Sequence, residues 1–435
     1  MSNARTATLA AKSSRGNRLT TVIVIALLLG IAAGYVAHEF FPQSSAGFAD
    51  GAALLPIAFL RLVRMNIAPL VFATLVVGIA KMGDIGTVGR IGSKALGWFV
   101  FASLVSLTLG LVLVDLLEPG KALQLPLPAS DAPTGLAPGG LSLADFIAHT
   151  IPTSVVDAMA RNEILQIVVF SVFFGVAMTA LGERTQAVLE SLEGLSLIML
   201  RVTGYVMLFA PLAVFGALAS TVAQEGLGII KVYGLFMGEF YLGILALWAV
   251  LACLGALVIG PRVLRLLRGV RGPVLLAFST ASSEAAYPKT LEELEKFGVT
   301  NRIASFVLPV GYSFNLDGSM MYCTFAVMFI AQVYGIHISI GQQIVMLAIL
   351  MLTSKGMAGV PRASLVVIAA TLAQFDIPSA GLVLLLGVDH FLDMGRSATN
   401  VVGNSIATAV VARWEGELSR DDQPARAVAA APAAE

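Results

Sequence analysis

Long apolar runs separated by short polar loops dominate the first 260 residues of the chain. A helix rises about 1.5 Å per residue, so about 20 apolar residues cross the roughly 30 Å hydrocarbon core of a bilayer. Six runs approach or exceed this length and are predicted as membrane-spanning helices, at residues 19–36, 52–79, 95–117, 164–181, 195–222 and 229–259. Residues 19–260 are therefore predicted to cross a membrane six times.

Basic residues predict how these spans are oriented, because Lys and Arg are enriched in cytoplasmic loops. Residues 1–18 form a polar tail with four basic residues, and a second basic loop follows the second span. The strongest basic cluster follows the sixth span and contains Arg262, Arg265, Arg268 and Arg271. Segment 118–140 has a single lysine and is predicted to be external. The amino terminus and the tail at 419–435 are accordingly predicted to be cytoplasmic.

The pattern changes after Gly272, where apolar segments become short and are interrupted by polar residues. A short hairpin at 273–298, with its tip at Ser282 and Ser283, precedes a span at 303–331 that is broken by the sequence GYSFNLDGS. A second short hairpin at 344–372, with SKGMAGVPRAS at its tip, precedes a charged span at 381–415. Matching interrupted segments in two halves are typical of secondary transporters built from inverted repeats.

The charged span carries its polar residues on one face. At about 100° per residue, six of its side chains fall within an arc of about 100°; they are Asp389, Asp393, Arg396, Ser397, Asn400 and Asn404. A lone Asp or Arg at the bilayer centre costs roughly 3 kcal/mol or more, so such residues face a partner, a cavity or a ligand. The alternative is that Asp389 and Asp393 only neutralise Arg396. The additional polar residues on the same face favour a substrate or ion site.

Composition supports a polytopic membrane protein, since 57% of the residues are hydrophobic and only 12% are charged. In soluble domains about a quarter of all residues are charged. The net charge is zero, which gives no case for a nucleic-acid partner. The two cysteines lie in apolar runs and the four histidines are scattered, so neither a disulfide framework nor a metal-ligand pattern is present in the sequence. No cofactor is expected besides a coupling ion.

The motifs GYSFNLDGS, SKGMAGVP and DMGRSATNVVGN resemble those of the dicarboxylate/amino acid:cation symporters, which include bacterial glutamate/aspartate symporters and the animal excitatory amino acid transporters. The resemblance extends over residues 19–418. It implies an all-α fold of eight spans plus two re-entrant hairpins, with inverted repeats. It also implies a homotrimer in the cell inner membrane, in which a transport domain moves like an elevator against a scaffold.

The same resemblance assigns the substrate site. Arg396 corresponds to the arginine that binds the side-chain carboxylate of the substrate, and its planar fork suits that role. Asp393 corresponds to the acid that accepts the substrate ammonium group. The other predicted substrate residues are Ser283 and Val360, through nearby backbone amides, and Ser319, Ser397 and Asn400. Asp389 is predicted to support the site without touching the substrate.

Asp393 bears on the choice of substrate. Relatives that resemble C4-dicarboxylate carriers have Ser-Glu-Ala-Arg where this chain has Asp393-Met-Gly-Arg396. A dicarboxylate has no ammonium group for Asp393 to bind, so the sequence favours an acidic amino acid, L-glutamate or L-aspartate. A C4-dicarboxylate such as succinate, fumarate or malate is the alternative substrate.

The coupling ion is predicted from departures from the family pattern. Sodium-coupled members have an acid at the position of Asn404, and tyrosine and threonine at those of Phe99 and Ala102. These replacements remove oxygen ligands that a hard cation requires, so proton coupling is expected. The predicted cation-coupling residues are Gly311, Ser313, Asn315, Asp317, Asn400, Asn404 and Glu284. Sodium bound at Asn315, Asp317 and Asn400 is the alternative, and Glu284 could instead pair with Arg362.

Two other function classes fit the sequence less well. A channel could use a polar path, but a paired acid and arginine beside re-entrant tips suit a substrate that is bound and carried. An intramembrane hydrolase would need a nucleophile with its base, and neither Gly-x-Ser-x-Gly nor His-Glu-x-x-His occurs in the chain. The sequence therefore predicts a transporter and not an enzyme.

Overall fold

The computed structural model describes residues 2–80, 85–122, 147, 150–227, 229–354, 363–386 and 388–419. Over these residues the chain is helical with short turns, and a single isolated bridge joins Val299 to Leu418. The all-α prediction is confirmed. Six stretches of the described chain are long and apolar enough to cross a membrane, namely Thr21–Phe40, Pro42–Ala80, Gly86–Lys121, Ile164–Glu225, Tyr233–Ile259 and Asn301–Val333.

The first 260 residues form nine of the described α-helices. These are α1 (Ser2–Phe40), α2 (Pro42–Ala80), α3 (Ile85–Leu117), α4 (Pro119–Ala122), α5 (Val155–Arg161), α6 (Ile164–Leu181), α7 (Gln186–Val206), α8 (Ala210–Glu225) and α9 (Ile229–Ile259).

The predicted fifth span is not one straight helix, because a 3₁₀ turn at Met207–Phe209 separates α7 from α8. Pro211 lies in the first turn of α8, where the missing N–H of proline costs no helical hydrogen bond.

The remainder of the described chain forms shorter helices. They are α10 (Arg262–Gly269), α11 (Arg271–Thr280), α12 (Ser283–Phe297), α13 (Asn301–Phe314), α14 (Asp317–Val333), α15 (Ile340–Thr353), α16 (Ala363–Gln374), α17 (Leu382–Leu386) and α18 (Asp389–Trp414). The predicted count of eight spans plus two re-entrant hairpins, and the elevator movement, stay predictions.

The charged helix begins at Asp389 and not near Gly381, where the sequence predicted it. Residues 379–381 form a 3₁₀ turn, α17 follows, and Val388 has φ −115° and ψ −7°, outside regular helical geometry. The sequence predicted a continuous helix because residues 381–388 are all apolar and hydropathy does not locate a helix boundary within such a run. At the other end of the chain, the predicted polar tail is helical from Ser2, as part of α1.

α18 lies at the centre of the second half of the molecule. Every residue from Leu392 to Ala412 is buried, and α18 packs against α3, α9, α11, α12, α13 and α14. In contrast, α1 and α2 pack against α8 and leave large apolar side chains on the outside, such as Leu28 and Leu29, which are 60% and 57% exposed. A helix this polar is stable in a membrane protein when other helices surround it.

Candidate functional site

The hairpin of α11 and α12 turns at the position that the sequence predicted. Ala281 has φ 49°, in the left-handed region, and Ser282 is extended, with φ −140°. The side chain of Ser282 accepts a hydrogen bond from the backbone N–H of Ala285 at 3.4 Å and so caps α12. Ser283, the first residue of α12, is fully buried, and its hydroxyl has no hydrogen-bond partner among the described residues.

The helix that contains GYSFNLDGS is broken between Phe314 and Asp317. Asn315 has φ −120° and ψ 66°, and Leu316 has φ −99° and ψ 61°. Asn, Asp and Gly are weak helix formers, so the break occurs where the local helix preference is lowest.

Two side chains from other helices hydrogen-bond to backbone groups at the start of α14. The Ser106 hydroxyl of α3 donates to the Asp317 carbonyl at 2.5 Å. Asn400 of α18 accepts hydrogen bonds on its Oδ1 from the N–H groups of Gly318, at 2.9 Å, and Ser319, at 3.3 Å. The first N–H groups of a helix have no partner within the helix, so Asn400 caps α14 from a different helix.

A buried polar cluster surrounds Arg396. The Nε atom of Arg396 lies 2.5 Å from Oδ1 of Asp393, and both side chains are at most 1% exposed. Its Nη1 donates to the Ser319 hydroxyl at 3.1 Å, and its Nη2 donates to the Ser397 hydroxyl at 3.2 Å. The Asn400 amide also donates to Ser319, at 3.2 Å. We call Ser319, Asp393, Arg396, Ser397 and Asn400 the arginine cluster.

A second buried cluster lies where the break meets α18. The Asn315 amide nitrogen donates to Oδ2 of Asp317 at 3.2 Å and to Oδ1 of Asn404 at 3.3 Å. A Cβ atom on Gly311 would collide with Oδ1 of Asn404, so glycine permits this close approach. We call Gly311, Asn315, Asp317 and Asn404 the asparagine cluster.

Phe99 lies against the asparagine cluster. Its Cζ atom is 3.4 Å from the position that a Cβ on Gly311 would occupy, and Phe99 and Ala102 are both buried on α3. The side chains of α3 at these two positions therefore offer no oxygen to this cluster. Asn400 of the arginine cluster accepts a hydrogen bond from the N–H of Gly318, the residue after Asp317 of the asparagine cluster. The two clusters are therefore adjacent.

Asp389 lies one turn before Asp393 and is fully buried. The Tyr322 hydroxyl donates to Oδ1 of Asp389 at 2.6 Å. A charge-assisted hydrogen bond of this kind lowers the cost of burying a carboxylate. Sequence patterns missed Tyr322 and Ser106, because a single polar residue in an apolar span is a weak signal.

The remaining predicted site residues do not belong to either cluster. Ser313 is buried near the end of α13, and Glu284 is half-buried in the first turn of α12. Val360 and Arg362, together with the tip of the second predicted hairpin, lie outside the described residues. Among the described residues, no group of three or more His, Cys, Asp or Glu side chains is arranged to hold a metal ion.

The charge balance of the two clusters restricts what can bind. Asp317, Asp389 and Asp393 are three carboxylates within the buried region, and Arg396 is the one cationic side chain among the buried residues described. An anionic substrate would add more negative charge to a region from which water is excluded, and unpaired buried charge is costly. Neutralisation of these carboxylates by protons or metal cations would favour the binding of an anion at Arg396.

Comparison with known proteins identifies the family of the chain. A family model described as the sodium:dicarboxylate symporter family matches residues 19–414. The chain is 42% identical over 422 residues to a C4-dicarboxylate transport protein of Anaeromyxobacter sp. (strain K), covering 95% of this chain and 94% of that protein. It is 39% identical over 407 residues to the C4-dicarboxylate transport protein of Laribacter hongkongensis, with coverage of 92% and 90%. The protein of the same description from Rhizobium etli is 40% identical over 406 residues.

Proposed function

Because this chain belongs to the sodium:dicarboxylate symporter family, we propose that it imports acidic amino acids, L-glutamate or L-aspartate, together with protons. The chain is a multi-pass membrane transporter and not an enzyme. The observation that carries the choice of substrate is the position of Asp393 beside Arg396 on one buried face of α18.

The arginine cluster matches the charges of an acidic amino acid. The guanidinium of Arg396 would bind the side-chain carboxylate, since its fork offers parallel donors to two oxygens. Asp393 would turn from Arg396 to accept the ammonium group, and Asn400 and Ser319 would hydrogen-bond to the α-carboxylate end. Ser283, at the amino-terminal end of α12, would direct backbone amides towards the same carboxylate. Val360 is proposed to do the same from the second hairpin.

A C4-dicarboxylate is the second candidate substrate, and the names of the relatives favour it. Such a substrate would place a second carboxylate near Asp393. Asp393 would then need to be protonated or to remain paired with Arg396. Substrate specificity depends on the site residues rather than on the fold. Identity of about 40% to these relatives therefore does not determine the substrate, and the residue at position 393 is the one that distinguishes the two candidates.

Proton coupling follows from the charge balance and the ligand set. The asparagine cluster has one carboxylate, Asp317, because Asn404 is neutral and Phe99 fills the space on the α3 side. A buried carboxylate readily takes up a proton, whereas sodium requires several oxygen ligands. Glu284 and Asp389 are further candidate proton carriers. Sodium bound by Asn315, Asp317 and Asn400 is the alternative. Homotrimeric assembly and elevator movement of α11–α18 are proposed by analogy with the family.

The test is uptake of labelled L-aspartate and labelled succinate into proteoliposomes. One set is driven by an inward proton gradient without sodium, and the other by an inward sodium gradient at constant pH. We expect aspartate to accumulate with protons alone and L-glutamate to compete with it. Accumulation of succinate but not aspartate would replace the substrate proposal with the second candidate. Uptake that requires sodium would overturn the proposal of proton coupling.

A further inference from the structure

A cavity of about 510 Å³ lies on the side of α18 opposite the arginine cluster. Gly395, Ala398 and Val402 form its floor, whereas Arg396 and Asn400 point to the other side, since residues three, four and seven apart share a helix face. The wall comes from α9 and α11 and includes Trp248, Leu275 and Phe278. Ligand sites have volumes of roughly 300–1,000 Å³, so the cavity is large enough for a small ligand.

The cavity is apolar and opens outward between α9 and α11. Four residues of α9 line it, and of these Leu245 is 60% exposed and Trp248 is half-buried. The outer face of α9 is apolar as well, with Leu242 and Leu257 at 54% and 83% exposed. In a helix that spans a membrane, such a face contacts lipid chains. The cavity is therefore open to acyl chains rather than to water.

One end of the cavity is lined by an arginine that belongs to an arginine-rich segment. Arg271 is the charged residue of its lining, and it ends the segment PRVLRLLRGVRG, which has four arginines and no acid. In α10 the apolar side chains of Val263 and Leu266 are buried, while Arg265 and Arg268 are exposed. Clusters of four or more basic residues next to a membrane span favour anionic lipid headgroups.

We propose that the cavity binds an acyl chain of an anionic phospholipid, whose phosphate group is held by Arg271 and Arg268. The proposal rests on charge complementarity at one end and on an apolar cavity open to the bilayer behind it. A free phosphate would leave the apolar part empty, and a zwitterionic lipid would lack the net negative charge that Arg268 and Arg271 select.

The bound chain contacts the helix that carries the substrate site. Two hydrogen bonds join the cavity wall to α18: the Tyr241 hydroxyl donates to the Phe391 carbonyl at 2.6 Å, and the Trp248 indole donates to the Thr399 hydroxyl at 2.8 Å. A ligand that binds only the folded chain stabilises it. Anionic lipid therefore stabilises the packing of α9 and α11 against α18, independently of which substrate is carried.

The test uses the fluorescence of Trp248, which lies in the cavity wall. The other two tryptophans are removed as Trp98→Phe and Trp414→Phe in the full chain. The protein is placed in phosphatidylcholine vesicles that contain increasing amounts of phosphatidylglycerol with brominated acyl chains, which quench tryptophan on contact. We expect quenching to saturate at a low mole fraction of brominated phosphatidylglycerol and to rise only in proportion to mole fraction with brominated phosphatidylcholine.

For Arg271→Gln, the mole fraction of brominated phosphatidylglycerol that gives half-maximal quenching should rise about fivefold. This is the effect of losing one basic contact at a membrane surface. Arg184→Gln, an exposed arginine on the turn after α6, is the matched control and should change nothing. If Arg271→Gln does not fold, high salt on the parent protein serves instead and should weaken only the phosphatidylglycerol effect. Equal quenching by both lipids, or equal loss in Arg184→Gln, would overturn the proposal.

Discussion

Asn400 of α18 caps the helix that begins at Asp317, since its Oδ1 accepts a hydrogen bond from the Gly318 N–H at 2.9 Å. The two residues are 82 positions apart in the chain. The contact fixes the broken helix against the charged helix, and it joins the arginine and asparagine clusters into one buried polar region. The contact therefore links the position of α18 to that of the break.

Asn400→Ala should destabilise the protein and abolish uptake. It leaves the Gly318 and Ser319 N–H groups without an acceptor, at about 1–3 kcal/mol for each buried group. Thermal unfolding in detergent should show a Tm lower by several degrees. Ser405→Ala is the matched control, because its hydroxyl bonds only to the Val401 carbonyl of the same helix, at 2.7 Å. An unchanged Tm for Asn400→Ala would contradict the capping role.

Asp393→Asn should change substrate preference. The variant keeps the size of the side chain but removes the charge that is proposed to bind the ammonium group. We expect aspartate affinity to fall about tenfold or more, a loss of roughly 1.4 kcal/mol or more. Succinate affinity should be unchanged or improved, because one carboxylate no longer opposes it. Inhibition of labelled uptake by each compound measures the two affinities.

Ser397→Ala is the control for Asp393→Asn. It removes a hydrogen bond to Arg396, 3.2 Å long, without changing the charge, so it should weaken both substrates alike. If Asp393→Asn also weakened both substrates equally, Asp393 would act through Arg396 and not on the ammonium group.

Asn404→Asp should introduce a response to sodium. The change adds a carboxylate beside Asn315 and Asp317, and carboxylate oxygen is a preferred ligand of hard cations. We expect an inward sodium gradient at constant pH to increase the initial rate of aspartate uptake severalfold in this variant. Asn404→Leu, which adds no oxygen, should give no such increase. A folded Asn404→Asp protein without any sodium response would show that the neutral residue at 404 does not determine the ion.

Glu415, just beyond the carboxyl end of α18, should make stability depend on pH in the acid range. Burial raises the pKa of Glu415, but hydrogen bonds and charges from Arg90 and Lys94 outweigh burial and hold its pKa below the ordinary value of 4.5. The carboxylate lies 3.0 Å from Arg90 and 2.6 Å from Lys94. Because the folded pKa is the lower one, the stabilisation is present above pH 4.5 and is lost as pH falls through the folded value.

Glu415→Gln should therefore lower stability at pH 7 by at most about 1 kcal/mol, the usual limit for such pairs, and this difference should become smaller at about pH 3. Thermal unfolding at the two pH values tests this. Glu118→Gln breaks an exposed pair with Lys121 and serves as the control, with no resolved change at either pH. A difference between parent and Glu415→Gln that persisted at acid pH would point to packing and not charge.

Local sequence was enough to predict most of the long apolar helices, the two interruptions and the polar face of α18. Apolar runs and weak helix formers act within a few residues, so the turn at Ser282 and the break at Asn315 could be located from the chain alone. The sequence also placed Asp393, Arg396 and Asn400 on one face, because helical periodicity is a local property.

Tertiary structure decided which helices meet at that face. Ser106 at the Asp317 carbonyl, Tyr322 at Asp389 and Asn400 at Gly318 are contacts between residues 67 to 211 positions apart. The cavity behind Ala398 is likewise formed by residues of separate helices. Hydropathy and periodicity are properties of one segment, whereas the partners of a buried polar group depend on how every segment is folded around it.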